Sequence, residues 1–179
     1  DVCSSDLKVP PGILRLSVAG ATLPRGLPSR APNGTQLEWV LAEPPVELPP
    51  LVPAFHVARA QDAAAWHEGR AGMRYRDLIP QRLGGRYVAS HIRIEREGPV
   101  ADYVHFHRVR LQLLYCWHGA VEVVYEDQGP PFWLRAGDCV LQPPGIRHRV
   151  LRTEGVCDVI ELACPARHET HADPVLALP

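Results

Sequence analysis

The chain has 179 residues, enough for one well-buried core but too few for two full-sized domains. Its net charge is −1 at pH 7, which argues against nucleic acid as a partner because a phosphate-binding surface shows as a basic excess. No apolar run approaches the ~18 residues that span a bilayer, and no stretch resembles a secretory signal, so we predict a cytoplasmic protein without membrane contact. Eighteen Arg against one Lys indicate a GC-rich, bacterial genome.

The first 60 residues form a proline-rich region. Residues 1–7 can be reverse-translated into the end of a common sequencing-library adapter, so we interpret them as an artefact. Ten of the nineteen prolines fall in this region, and proline lacks the N–H donor that helices and central strands need. Alternating side chains still predict short strands at Ile13–Ala19 and Thr35–Ala42. We predict that residues 1–60 are an irregular extension or the remnant of a truncated preceding domain.

Residues 61–170 have the pattern of one all-β domain, followed by a C-terminal tail at 171–179. A run of alanines predicts a short helix over Ala60–His67, ended by Gly69. Eight short strands with Gly, Pro or Asp between them, and no helix, predict an antiparallel sandwich or barrel. These strands are Arg86–Glu95, Asp102–Val109, Leu111–Trp117, Ala120–Asp127, Phe132–Ala136, Cys139–Gln142, His148–Thr153 and Val156–Ala163.

A pair of histidines lies on the second of these strands. Side chains alternate across a strand, so His105 and His107 point to the same face. An inward pair of imidazoles is costly unless each nitrogen finds a partner, and a divalent metal ion is one such partner. Hydrogen-bonded core histidines are the other interpretation, and the pair alone does not decide between them.

The spacing of further residues adds a family resemblance. Gln112 follows His107 after four residues, Gly119 follows after six more, and Gly137–His148 reads GDCVLQPPGIRH, a G-x5-P-x-G-x2-H pattern. These stretches resemble the two motifs of the cupin superfamily, over about residues 85–164. The resemblance implies a jelly-roll β-barrel in which His105, His107, Gln112 and His148 bind a divalent metal ion, iron(II) above all, with zinc or nickel as alternatives.

Three positions depart from the cupin pattern. Gln112 stands where the family carries glutamate, Gly98 lies one residue further from His105 than the family glycine, and Arg152 replaces a frequent asparagine. A glutamine oxygen is neutral and a poorer metal ligand than a carboxylate. The resemblance therefore leaves two readings of the site, three histidines with Gln112 or three histidines with water.

Other residues have more ordinary interpretations. His118 is predicted to lie exposed in a hairpin turn, and His168 and His171 to lie in a solvated terminus. Tyr103, Tyr115 and Gln142 are candidates to line the barrel mouth. No separate general acid or base can be assigned, so the catalytic residues are unknown.

Two functions remain open from the sequence. The first is a metal-binding cupin acting on an unknown small molecule, with an iron-dependent dioxygenase as the enzyme class to test first. The second is a non-enzymatic module that senses a small ligand or a metal. Fold analogy alone does not select a reaction. A homodimer is expected in either case, because an exposed sheet edge needs covering.

Overall fold

The computed structural model of the protein describes residues 15–20, 26, 28–32, 34–41, 46–61 and 66–179. The chain divides into two compact units, Asp1–Pro45 and Val46–Pro179. In the first unit, β1 (Arg15–Gly20) pairs in parallel with β2 (Gln36–Leu41). Both strands predicted there are confirmed, apart from their ends at Ile13 and Ala42, which lie outside the described residues. The predicted domain boundary at residue 60 stays a prediction.

The second unit is almost entirely β-structure. Its elements are β3 (Trp66–Glu68), a 3-10 turn (Arg70–Gly72), β4 (Arg74–Asp77), the single helical turn α1 (Arg82–Gly85), β5 (Val88–Ile94), β6 (Gly98–Pro99), β7 (His105–His107), β8 (Leu111–Tyr125), β9 (Phe132–Arg135), β10 (Cys139–Gln142), β11 (His148–Cys164) and β12 (Thr170–Ala172). None of the described helices is long and apolar enough to cross a membrane.

The strands of this unit form one antiparallel hydrogen-bonded sheet with the order β10-β8-β11-β5-β4-β3. In addition, β9 pairs with β8, β6 and β7 pair with β11, and β12 pairs with β7. The predicted all-β, antiparallel jelly roll is therefore confirmed. The path of hydrogen bonds is open, however, with β10 at one end and β3 at the other, so the predicted barrel is not a closed ring.

Two long strands, β8 and β11, run the length of the sheet and pair with each other throughout. Near its start β8 pairs with β10, and near its end with β9, while β11 pairs first with β6 and β7 and later with β5. The shared ladder changes register between Glu154 and Asp158, opposite Gly119. Gly119 has φ +75°, and a Cβ there would lie 2.2 Å from the carbonyl oxygen of Val156. Only glycine fits this close approach of two backbones.

These long strands correct the sequence prediction. The sequence predicts one strand before and one strand after His118-Gly119, and likewise one before and one after Gly155, with a turn between the two strands of each pair. In the structure each pair is one continuous strand, because the register shift lets the ladder continue through the glycine instead of ending there. A glycine within a strand pattern therefore marks a bulge here and not a hairpin.

The predicted helix over Ala60–His67 is wrong at its described end. Trp66 and His67 lie in β3, which pairs with β4 across a turn closed by the bond from the Gly69 N–H to the Met73 carbonyl oxygen. The centre of the predicted helix, Ala63–Ala65, lies outside the described residues. Backbone pairing with β4 thus decides the structure of Trp66 and His67.

The hydrophobic core of the second unit gathers side chains from β8 and β11 and from the strands that pair with them. Fully buried members include Cys116 and Cys157, which come from the middle of β8 and β11. Val121, Val123 and Leu134 come from the β9 end, and Ile94 and Val159 from the β5 end. Each buried valine, leucine or isoleucine side chain contributes roughly 1.5–3 kcal/mol. Side chains from both halves of the long strands β8 and β11 therefore share one core.

Candidate metal centre

Three of the four predicted ligands come together. His105 and His107 point inward from β7, and His148 opens β11 directly opposite His105 in the strand register. All three are buried, and a candidate ligand atom from each lies within 4.8 Å of the others. The ring centroids of His105 and His148 are 4.3 Å apart, and those of His105 and His107 are 5.1 Å apart. The group could hold one metal ion.

Backbone carbonyls fix the tautomer of each imidazole. Nδ1 of His105 lies 2.8 Å from the Tyr103 carbonyl oxygen, and Nδ1 of His148 lies 3.0 Å from that of Ile146. Nδ1 of His107 lies 3.3 Å from the carbonyl oxygen of Glu169. A carbonyl only accepts, so each Nδ1 carries the proton and donates it. Each Nε2 is then left with the lone pair that a metal ion requires.

The three imidazoles are neutral over the physiological pH range. Burial lowers the pKa of His105 to about 2, and repulsion by the protonated form of His148 and by the Arg70 guanidinium adds to the effect. Burial also lowers the pKa of His107 to about 4, aided by His148 and His168. For His148, burial again lowers the pKa to about 4. Metal ions bind the neutral imidazole, so the site is ready for a cation without losing protons first.

Asp102 anchors the loop that leads into β7. Its buried carboxylate accepts the backbone N–H of Tyr103 at 2.9 Å and that of Val150, on β11, at 2.9 Å. It also pairs with the guanidinium of Arg70, and it lies 3.8 Å from Nδ1 of His105. These bonds tie the β7 loop to β11, so that His105 faces His148.

Gln112 is placed differently from the three histidines. It is buried on β8, where its Nε2 donates to Oε1 of Glu161 at 2.7 Å. It lines the same cavity as His107 and His148. The amide nitrogen is thus occupied by a carboxylate from β11, and ligation of a metal by Gln112 stays a prediction.

Glu161 and His168 form a buried pair that the sequence interpretation missed. His168 Nε2 lies 3.5 Å from Glu161 Oε1, and the His168 ring meets that of His107 edge-on at 5.2 Å. Burial acts to raise the pKa of Glu161, but bonds from His168 and Gln112 outweigh it and leave the pKa below its usual value. Burial likewise acts to lower the pKa of His168, but Glu161 outweighs it and raises the pKa. Each partner therefore stabilises the charged form of the other.

The prediction of a solvated terminus for His168 and His171 is wrong. His168 is mostly buried, and His171 lies in β12 with its ring stacked on Phe106. Glu161 could have been found from the sequence: it shares the inward parity of Val159 and Ala163, and a charge among inward apolar residues needs a partner. The identity of that partner, His168, depends on folding of the terminal segment.

A cavity of about 320 Å³ opens beside the histidines. Its walls are mostly apolar side chains, among them Met73, Ile92, Leu114, Val121, Leu134 and Val159. Its polar groups include His107, His148, Gln112, Gln142 and Glu161. A second cavity of about 310 Å³ lies on the far side of Glu161 and His168, which line both. The first cavity has the size and mixed lining of a small-molecule site.

The remaining predicted residues fall on both sides of the sheet. Gln142 lines the cavity, as expected. Tyr103 and Tyr115 are exposed and do not line this cavity. Tyr115 lies on the outer face of β8. His118 is exposed, as predicted, but in a strand and not in a turn, with its ring 3.8 Å from Asp158.

Comparison with known proteins gives the fold. No family model matches the chain, and no curated protein matches it. Among solved structures, an RmlC-like cupin from Shewanella frigidimarina is 23% identical with a TM-score of 0.52, covering 64% of this chain and 94% of its own. KdgF from a Halomonas species is 22% identical with a TM-score of 0.51, covering 64% of this chain and 96% of its own.

Both likenesses span nearly the whole of the solved chains but only 64% of this one. Identity below 25% is a likeness of fold and not of activity. The order of strands, the three converging imidazoles and these two structures agree, and the chain has the cupin fold.

Proposed function

We propose that the protein binds one divalent metal ion through His105, His107 and His148 and acts on a small molecule held in the adjoining cavity. One observation carries the proposal: all three Nδ1 atoms face backbone carbonyls, while the buried Nε2 of His105 has no hydrogen-bond partner among the described residues. A buried imidazole nitrogen without a partner is unfavourable, and a metal ion would satisfy it.

The donor set favours particular ions. Three neutral imidazoles suit iron(II), zinc, nickel or copper, whereas magnesium and manganese prefer carboxylate oxygens. Iron(II) is the ion we propose, in an oxygenase, because three protein ligands leave positions for both substrate and dioxygen. An iron(II) ion supplies the redox chemistry that such a reaction needs and that amino-acid side chains lack.

The chain's own residues would bind and orient the substrate. Apolar side chains form most of the cavity wall, and the pair of Arg70 and Asp102 holds the loop that leads to His105. Glu161 holds the amide of Gln112 by its nitrogen, which leaves the amide oxygen as the atom able to meet a cation or a donor group. These groups are fixed before a ligand arrives, which lowers the entropy that binding must overcome.

The metal content of the purified protein tests the proposal. The protein should be prepared without a histidine tag and analysed by plasma mass spectrometry after dialysis. We expect a stoichiometric transition metal in the wild type and its loss in His105→Ala. The matched control is His118→Ala, which removes an exposed imidazole and should keep the metal. Equal metal content in His105→Ala and the wild type, or no metal in either, would contradict the proposal.

A non-enzymatic sensing module is the second function. It is supported by the neutral Gln112, whose nitrogen is committed to Glu161, at a position where a carboxylate would strengthen metal binding. Dioxygen uptake separates the two functions. Uptake by the iron-loaded protein that requires an added small molecule supports the oxygenase, whereas tight ligand binding without turnover supports the sensor.

A further inference from the structure

Gln142 is a buried polar side chain that neither the metal ligands nor the core accounts for. It lies on β10, directly opposite Gln112 on β8, so both side chains enter the cavity from adjacent strands. Its exposed fraction is 2%, among the lowest of any large side chain described. Gln112 is occupied by its bond to Glu161, whereas the hydrogen bond described for Gln142 is to a hydroxyl group, that of Tyr125.

The amide of Gln142 is only half satisfied. Its Nε2 donates to the Tyr125 hydroxyl at 2.9 Å, while its Oε1 is buried without a hydrogen-bond partner among the described residues. Most buried polar atoms in proteins are paired, so an unpaired carbonyl oxygen on a cavity wall marks a place for a donor from a ligand or a water molecule.

Tyr125 makes the site two-sided. Its hydroxyl oxygen accepts from Gln142 and keeps its own proton for donation. The two side chains thus present an acceptor, Gln142 Oε1, beside a donor, the Tyr125 O–H. A single hydroxyl group both donates and accepts, and therefore complements this pair.

The position of the pair relates it to the metal centre. The ring of Tyr125 stacks on that of His148 with 5.4 Å between centroids. The cavity walls next to it are apolar, with Val121, Val123 and Leu134 among them. A ligand whose hydroxyl met this pair would place an apolar body against these walls and lie beside His148.

We propose that the cavity binds a small alcohol or phenol with an apolar alicyclic or aromatic body, and that its hydroxyl bonds to Gln142 Oε1 and the Tyr125 O–H. The volume of about 320 Å³ limits the ligand to a small molecule of one or two rings. This assignment rests on the proposed function only in that the same cavity is the substrate site; the hydrogen bonds themselves need no metal.

Two probes of nearly equal shape test the proposal. p-Cresol and p-xylene differ in a hydroxyl that replaces a methyl group, so their affinity ratio isolates the hydrogen bonds. Binding should be measured by NMR titration on the full chain. We expect the wild type to prefer p-cresol by about tenfold or more, since a site built for a hydroxyl rejects the analogue without one. Gln142→Met should reduce the preference to below about threefold.

Two further variants keep the result interpretable. Tyr125→Phe retains the ring against His148 and should also reduce the preference, which covers the case in which Gln142→Met does not fold. Gln128→Met changes an exposed glutamine and should leave the preference as in the wild type. The proposal would be overturned if the wild type showed no preference for p-cresol, as expected when only water meets Oε1. An unchanged preference in both cavity variants would also overturn it.

The titrations should be run on metal-loaded and chelator-treated protein, with metal content recorded. A hydroxyl preference in a protein that binds no metal would refute the metal centre and leave this ligand class standing. A stoichiometric metal without a hydroxyl preference would refute the ligand class alone.

Discussion

Replacing Gln112 by glutamate restores the carboxylate of the cupin pattern, yet the structure predicts that it weakens the fold. Gln112 and Glu161 are 4% and 5% exposed, and Nε2 of the first donates to Oε1 of the second at 2.7 Å. Glutamate has no N–H to donate. Gln112→Glu therefore loses a buried hydrogen bond to a charged group and brings two carboxylates into contact.

The size of the effect follows from the charges. Two unit charges ~3 Å apart repel by about 5 kcal/mol at an effective dielectric constant of ~20. Taking up one proton is less costly, so the two carboxyls share a proton and one folded-state pKa rises above its unfolded value. The folded variant then binds more protons than the unfolded chain, and its stability falls as pH rises above the unfolded carboxyl pKa. At pH 5 the shared proton forms an O–H bond to the carboxylate and replaces part of the lost hydrogen bond. At pH 8 more of that proton is lost, so the ~1.5–3 kcal/mol of a hydrogen bond to a charged group is missing, and we expect a deficit of about 3 kcal/mol there and less at pH 5.

Urea unfolding of chelator-treated protein at pH 5 and pH 8 measures this difference, because removing the metal eliminates its own linkage to stability. The control is the double variant Gln112→Glu with Glu161→Gln, which exchanges donor and acceptor across the same contact. The exchange removes the second carboxylate but also alters the contact of Glu161 with His168, so the double variant should lose the rise of the deficit between pH 5 and pH 8. A Gln112→Glu deficit that is equal at both pH values, or a double variant whose deficit grows with pH as much as that of the single one, would refute the reasoning.

Four other predictions follow from described contacts. Metal affinity should stay nearly constant from pH 8 to about 5 and fall at lower pH, because burial lowers the pKa of two site imidazoles to about 4 and that of the third to about 2. A chelator competition measures this affinity, and a decline centred near pH 6.5 would contradict the prediction. Gly119→Ala should destabilise the protein by roughly 2 kcal/mol more than Gly137→Ala in thermal unfolding. Both glycines have positive φ, but only a Cβ at position 119 would meet backbone, the carbonyl of Val156. Similar losses in the two variants would argue against the close approach. Burial raises the pKa of the Asp158 carboxyl, but its arginine and histidine partners outweigh burial and lower it, so the stability that Asp158 contributes is present above its unfolded pKa and lost as pH falls. Asp158→Asn should therefore lower the unfolding free energy by about 2 kcal/mol at pH 7 and by much less at pH 3. A difference of the same size at pH 3 would exclude this account. Leu141, 64% exposed on the terminal strand β10, is the residue we expect in a homodimer contact, so Leu141→Glu should convert a dimer into a monomer in sedimentation analysis, whereas an unchanged mass would exclude that contact.

The fold was predictable because its signals are local. Alternating apolar residues and the glycine and proline residues between them predict short antiparallel strands. The resemblance of the two histidine stretches to the cupin motifs implies that His105, His107 and His148 meet, and they do. Strand parity alone decides that the first two share a face. The register of β11 against β7 then sets His148 opposite His105.

The environment of the histidines was not predictable, because it depends on contacts distant in sequence. The carbonyl that orients His107 belongs to Glu169, and the carboxylate that holds Gln112 belongs to Glu161. The sequence predicts a solvated His168 because polar residues surround it in a terminal segment. Its burial results from the pairing of β12 with β7, which no pattern within the segment indicates.

That pairing gives the three imidazoles unequal mechanical support. His105 and His148 donate to carbonyls two residues earlier in their own chain segments, so their orientation persists as long as those strands do. His107 instead depends on the segment that enters β12, a strand of three residues held in register with β7 alone. Fraying of so short an edge strand needs little free energy compared with global unfolding. The orientation of the His107 imidazole is therefore set by a local opening equilibrium. Amide exchange at Thr170–Ala172 would report how often only His105 and His148 keep fixed rings.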